Sequence, residues 1–307
     1  MGDNLRTAAE RAMGRLAPDN ENHPSKRQRT GNTDDDGIQS VQYEYSAAEA
    51  LVDGSPGFLL SCTFKKEKAA VKEILPLLKK YIELSFERLS EKADGQQLLG
   101  LEGGSGGHSG LAPRLTLVKL ACRGLMFMRL QAGDAKGSGQ PRGPPEGTWG
   151  VPTAAARALI SAIQAGAEAK LKYCQRVVPI ERTCPLTCEA LSETSRSCTA
   201  LCLKEIVDAP AKTEGERTVT YAVRFQTRGH LRDGGPKKEE IIREVARGVD
   251  EACRGVAKPE VNLSSPEVAI LGEAIPLASG EVLGMLCVAT GGMFTAKPHL
   301  RICSVAG

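Results

Sequence analysis

From Gly57 onwards, short apolar runs alternate with longer stretches in which apolar residues recur at helical spacing. Phe58-Leu59-Leu60-Ser61-Cys62 has the length of a strand. After Glu67 the rhythm changes: Val71, Ile74, Leu75, Leu78, Ile82 and Phe86 recur as on one buried helix face. Pro76 falls inside this helix and predicts a kink or a break, because proline removes one donor and crowds the preceding turn. Leu115–Ala121 and Leu125–Leu130 are strand-like. A second helix is expected from about Pro152, with Leu159, Ile160, Ile163, Ala167 and Leu171 on one face. Tyr173–Cys184 then reads as one strand, with Val177, Val178 and Ile180 as its apolar run and Arg176 and Arg182 flanking it. The order β-α-β-β-α-β is a ferredoxin-like arrangement.

A second unit follows. Cys188, Leu191, Cys198, Leu201, Cys202 and Ile206 predict a helix over Thr187–Val207. Residues 218–228 alternate, with Tyr221, Val223 and Phe225 on one face and Arg224, Gln226 and Arg228 on the other. Gly234-Gly235-Pro236 leads into a helix with Ile241, Ile242, Val245, Val249 and Ala252 on its apolar face. Pro236 as first helical residue, with Glu239 and Glu240 in the first turn, marks its start. Val268–Ile275 and Val282–Ala289 read as a hairpin-like pair of strands, giving α-β-α-β-β. Residues 1–50 lack apolar periodicity and are expected to be disordered. Gly95–Pro113 and Asp134–Trp149 read as flexible Gly/Pro-rich insertions.

Length 307 fits about two domains. The net charge is only +3, so polyanion binding has to be argued from local patches and not from the total. No run of about 20 apolar residues is present, and Glu10, Arg11 and Arg15 interrupt the only N-terminal apolar stretch. An intracellular chain that binds no membrane is therefore expected, and its ten cysteines are expected to be reduced. Lys26-Arg27-Gln28-Arg29, followed by Asp34-Asp35-Asp36, fits a nuclear import signal or a nucleic-acid tether; the plainer reading is solvated charge.

The candidate chemistry is basic. Arg224 and Arg228 share the non-core face of their strand, and Arg232, Lys237 and Lys238 follow at the neck of the next helix. Unpaired N–H groups at a helix N-terminus attract phosphate, and Gly234 and Gly235 would let a backbone approach. The competing reading is a solvated strand face whose lysines pair with Glu239 and Glu240. Arg123, Gly124 and Phe127 fit part of an RNA-recognition strand, but Leu125 and Leu130 replace the stacking aromatics, so a plain core strand is expected. Cys184, Cys188, Cys198 and Cys202 are spaced as Cys-x-x-x-Cys pairs, and buried thiols are preferred to zinc. His23, His108, His230 and His299 lie near no nucleophile signature, and no Gly-x-Gly-x-x-Gly opens a helix. No cofactor, no metal and no catalytic site are expected.

Gly57–Cys62, Tyr221–Val249, Val261-Asn262-Leu263-Ser264-Ser265-Pro266 and above all Cys174-Gln175-Arg176-Val177-Val178-Pro179-Ile180-Glu181-Arg182-Thr183-Cys184 resemble the THUMP-domain adaptor proteins of tRNA acetylation. The resemblance covers roughly residues 57–290. It implies an α+β protein: a disordered tail over 1–56, a ferredoxin-like domain with Gly-rich insertions over 57–183, a THUMP α/β domain over 184–290 and an irregular tail over 291–307. It also implies a non-catalytic, nuclear or nucleolar protein. Such an adaptor presents tRNA to an RNA cytidine acetyltransferase, which makes N4-acetylcytidine in the D-arm of serine and leucine tRNAs. Arg176, Arg182 and Arg228 are carried by the resemblance; Arg224, Arg232, Lys237 and Lys238 come from local physics alone. The long insertions, and Leu271-Gly272 where a β-branched run is expected, depart from the family pattern. The alternative is a THUMP-containing RNA-modifying enzyme of methyltransferase or thiolase type, which would need a catalytic domain of about 150 residues.

Overall fold

A computed structural model describes residues 51, 54–97, 114–131, 150–207, 217–228, 235–277 and 281–307. Residues 1–50 of the expected tail, its Lys26–Arg29 cluster, most of the two insertions and Arg232 lie outside the described residues. The end of the tail expected over 1–56 is instead tied down, with Leu51 buried in the core and the Gly54 and Ser55 N–H groups donating to Thr183. All described residues belong to one compact unit, Val41–Gly307.

β1 (Gly57–Cys62), α1 (Glu67–Gln97), β2 (Arg114–Lys119), β3 (Leu125–Gln131), α2 (Val151–Gln164) and β4 (Cys174–Ile180) follow the expected β-α-β-β-α-β order. Their strands form one antiparallel sheet in the order β2-β3-β1-β4. α1 stays helical through Pro76, which is exposed, and runs past Gly95. The carbonyl deprived of its donor there belongs to exposed Lys72, where water can serve it. α2 ends sooner than its apolar pattern suggested: Gly166 takes a left-handed φ of 75°, which stops the helix, so Ala167 and Leu171 lie beyond it. Leu171 instead bridges Ala306 near the C-terminus.

The second half holds β5 (Arg182–Pro185), α3 (Cys188–Val207), β6 (Thr218–Thr227), α4 (Lys238–Cys253), β7 (Lys258–Val261), β8 (Val268–Pro276) and β9 (Val282–Thr290). The five-stranded sheet has the order β5-β9-β8-β6-β7, with β6 parallel to β7 and β8 and the remaining pairs antiparallel. β7 is an edge strand that its Lys-Pro-Glu-Val sequence did not announce. Pro236 lies one residue before the N-cap, Lys237, and not in the first helical position.

The strand expected over Tyr173–Cys184 is two strands. A bend at Glu181 ends β4, which pairs with β1, and starts β5, which pairs with β9. One short segment thereby contributes to both sheets. The bend has a partner: the Glu181 carboxylate accepts hydrogen bonds from the Gly150 and Thr153 N–H groups at 2.8 and 2.9 Å, closing the N-terminus of α2.

β8 and β9 explain how the halves join. Leu271, Ile275, Leu283, Met285 and Cys287 enter the same core as the first sheet. The alternate residues Ile270, Ala274, Leu286 and Val288 enter a second core with α3 and α4. Covered on both faces, these strands are almost continuously apolar. Gly272 is required within that packing, since a Cβ there would lie 2.2 Å from the Phe225 ring. The departure at Leu271-Gly272 thus leaves β8 unbroken and admits an aromatic from β6.

The 291–307 segment, expected to be irregular, carries β10 (Phe294–Thr295) paired with β11 (Arg301–Ile302). Met293, Ile302 and Val305 are buried in the first core. The Val305 N–H donates to the Gln175 carbonyl, tying this segment to β4.

The start of β4 is also held from α1. The Glu73 carboxylate on α1 accepts hydrogen bonds from the N–H groups of Lys172, Tyr173 and Cys174. Burial pushes its pKa up, but the three N–H donors outweigh burial and the net direction is down. A depressed folded pKa contributes stability that is fully present above the unfolded carboxylate value and lost as pH falls through the folded value. Wild type should therefore lose more stability than Glu73→Gln between about pH 6 and about pH 3, read by urea unfolding at each pH.

Candidate nucleic-acid interface

Where β6 continues past the cover of the first sheet, the two halves leave a cleft of about 730 Å³. Its walls follow from strand register. Ser61 stands opposite Arg176, and Leu59 opposite Val178, on one face of the first sheet. Arg224 stands opposite Leu271, and Gln226 opposite Glu273, on the face of the second sheet whose apolar members join the first core. The segment from His299 to Ile302 closes one side.

Among the described residues, five arginines line this cleft, Arg123, Arg176, Arg224, Arg228 and Arg301, against a single carboxylate, Glu273. The cleft thus concentrates more positive charge than the +3 carried by the whole chain. Arg228 is satisfied: its Nε and Nη2 donate to the two Glu273 oxygens at 2.6 and 3.0 Å. This pair holds the Arg228 pKa above its ordinary value. Arg224 Nη1 donates to the Leu300 carbonyl, which fixes the guanidinium in place without neutralising it.

Arg176 is the crowded member. Burial holds its pKa below the ordinary value, and the charges of Arg301, Arg224 and Arg228 lower it further. Its Nε and the hydroxyl of Ser61 beside it are buried without a hydrogen-bond partner. Unsatisfied buried donors under mutual repulsion are stabilised by an anion that enters among them. Chemically, converging guanidinium groups with unused donors suit an anion such as phosphate.

The predicted basic residues therefore separate. Arg176, Arg224 and Arg228 converge on the cleft. Arg182 does not line it: it stands opposite Leu286 of the second core, and its charge acts on Glu193 and Cys198 of α3. Lys237 and Lys238 are exposed at the start of α4 and also lie outside the cleft lining. The phosphate site expected at that helix start is partly filled from within, because the Glu240 carboxylate accepts the Lys237 N–H at 3.0 Å. Arg301 and Arg123 were missed as site residues. Arg301 sits in the segment expected to be irregular, and Arg123 in the turn before β3, where no apolar period points to it.

The remaining candidates resolve as packing. Phe127 is fully buried, so β3 is a core strand and offers no stacking surface there. Cys184, Cys198 and Cys202 are buried in the second core and Cys188 is half-buried; burial pushes the Cys198 and Cys188 thiols up. Among the described residues no three His, Cys, Asp or Glu side chains converge to hold a metal ion. No described helix is long and apolar enough to cross a membrane.

No family profile and no curated protein matches the chain. Among solved structures it is similar to PH1313 from Pyrococcus horikoshii Ot3, at 11% identity and a TM-score of 0.36, over 77% of this chain and 55% of that one. It is also similar to a 4-thiouridine synthetase in complex with RNA and bound ATP, at 10% identity and a TM-score of 0.32, over 77% of this chain and 42% of that one. The chain thus spans about half the length of these structures.

Proposed function

We propose that this protein is a tRNA-binding adaptor that presents tRNA to an RNA cytidine acetyltransferase for N4-acetylcytidine formation. The observation that carries the binding half is the convergence of Arg176, Arg224 and Arg301 around the unpartnered Arg176 Nε. Arginine forks match phosphate geometry, and such contacts provide affinity and position with little sequence readout. The adaptor half rests on the resemblance of Cys174–Cys184 and its companion segments to the THUMP adaptors of tRNA acetylation. On this reading the antiparallel sheet with α1 and α2 is the ferredoxin-like domain and the five-stranded sheet with α3 and α4 is the THUMP domain. The boundary then falls at the Glu181 bend. Nuclear residence, through the Lys26–Arg29 cluster, belongs to the same proposal.

Reconstitution tests it. The purified chain should bind tRNA with a log affinity that falls linearly with log salt, by about 0.7–0.9 per phosphate contact. Added to the acetyltransferase, it should raise acetylation of serine and leucine tRNAs, while the chain alone should turn over no acetyl, methyl or sulfur donor on tRNA. Turnover by the isolated chain would replace the adaptor reading with a modifying enzyme.

A further inference from the structure

We infer that Phe64 is a stacking platform for an unpaired RNA base whose neighbouring phosphates lie in the arginine cleft. Phe64 lines that cleft yet is 53% exposed, whereas Phe58, Phe127 and Phe225 are fully buried and Phe86 and Phe294 half-buried. It is held where it stands. Its turn is closed by the Lys66 N–H donating to the Thr63 carbonyl at 3.0 Å, and the Thr63 N–H donates to the Tyr173 carbonyl. Lys65 beside it adopts a left-handed φ of 60°, a conformation that side chains other than glycine rarely take. An exposed aromatic fixed next to an uncommon backbone conformation suits a contact surface more than a packing role.

The charges around the ring specify the ligand further. The Lys65 ammonium lies 5.4 Å from the ring centroid and the Arg123 guanidinium 5.9 Å, both within cation–π range. Arg123 belongs to the cleft lining as well, so the ring, Arg123 and Arg176 share one cavity. A flat aromatic beside guanidinium groups is the combination that binds single-stranded nucleic acid: bases stack on the ring while the backbone follows the charge. A continuous duplex keeps its bases stacked on one another and offers none to Phe64. The class of ligand is therefore single-stranded RNA or an unpaired loop. The inference rests on the cleft binding RNA.

The test uses the full chain as wild type, Phe64→Ala and Phe64→Trp. Anisotropy is measured with a single-stranded RNA oligonucleotide and with a blunt RNA duplex of equal charge, and inorganic polyphosphate serves as competitor. Phe64→Ala should weaken single-strand binding by about 5- to 150-fold, the range of one lost base stack, and leave duplex binding and polyphosphate competition unchanged. Phe64→Trp should retain single-strand affinity, and the introduced indole should be quenched by the oligonucleotide. Equal losses on single strand and duplex, or unchanged single-strand affinity in Phe64→Ala, would overturn the stacking role while the cleft remains an RNA site. Wild type that binds neither RNA would overturn both readings.

Discussion

Arg176→Glu should lower tRNA affinity by about 100-fold at about 50 mM salt, with the difference shrinking as salt rises. Arg176 stands between Ser61 on β1 and the charges of Arg224, Arg228 and Arg301. Replacing it removes one guanidinium and adds a carboxylate within reach of the others. The introduced glutamate would then occupy them much as Glu273 already occupies Arg228. The cleft would lose its attraction for phosphate twice over, by the change in charge and by internal pairing. The fold should tolerate the change, because the wild-type site is itself under repulsion and the new carboxylate relieves it. Arg182→Gln is the control. Arg182 is on the helix-covered side of the second sheet, so the variant should keep tRNA affinity within about twofold once its folded state is confirmed by thermal melting. Anisotropy titrations across a salt series distinguish these outcomes. Equal losses from both variants would mean that the cleft is not the RNA site.

The contrast between Arg176 and Arg182 shows what the sequence could and could not convey. In a continuous strand, residues separated by an even number of positions share a face, so both arginines would have pointed the same way. The bend at Glu181 breaks that parity, and a one-residue bend just after an apolar run leaves no periodic trace. β6 was legible in full, because Tyr221 and Phe225 alternate with Arg224 and Gln226 and its two faces meet different surroundings. β8 and β9 were legible as strands, but their pairing with two cores was not. Residues covered on both faces are apolar throughout and no longer encode which side is which. β7 was silent because an edge strand of Lys258, Pro259 and Glu260 needs no apolar alternation. Arg301 was passed over for a related reason. The buried anchors of its segment, Met293, Ile302 and Val305, are scattered, and anchors that far apart have no period to detect. The strand faces were local facts; the cleft is a product of how two sheets meet.

Removing the carboxylate of Glu181 should have the largest effect on stability. Its side chain is only 4% exposed, and its two oxygens accept the Gly150 and Thr153 N–H groups at the start of α2. Its charge is also felt by Cys198 on α3 and Cys287 on β9, so the group lies where both halves meet. In Glu181→Ala two buried N–H groups lose their acceptor, at about 1–3 kcal/mol each if no water replaces it. The favourable interaction of a carboxylate with the α2 N-terminus disappears as well, worth about 0.5–2 kcal/mol. Taking the lower half of these ranges gives a loss of about 2.5–5 kcal/mol, or a fall in Tm of about 5–20 °C at about 2–4 °C per kcal/mol. Glu181→Gln separates the contributions. Its amide oxygen can still accept one N–H, but its NH2 group faces the other donor, so about half of the loss should remain. Calorimetric unfolding of both variants reads the series. If Glu181→Ala melted with wild type, the bend at Glu181 would not depend on its bonds to α2. If the predicted order holds, tRNA titrations of Glu181→Gln below its transition show whether the bend also sets the cleft: affinity should fall if the bend relaxes, because Arg176 lies on one side of it and the second sheet begins on the other.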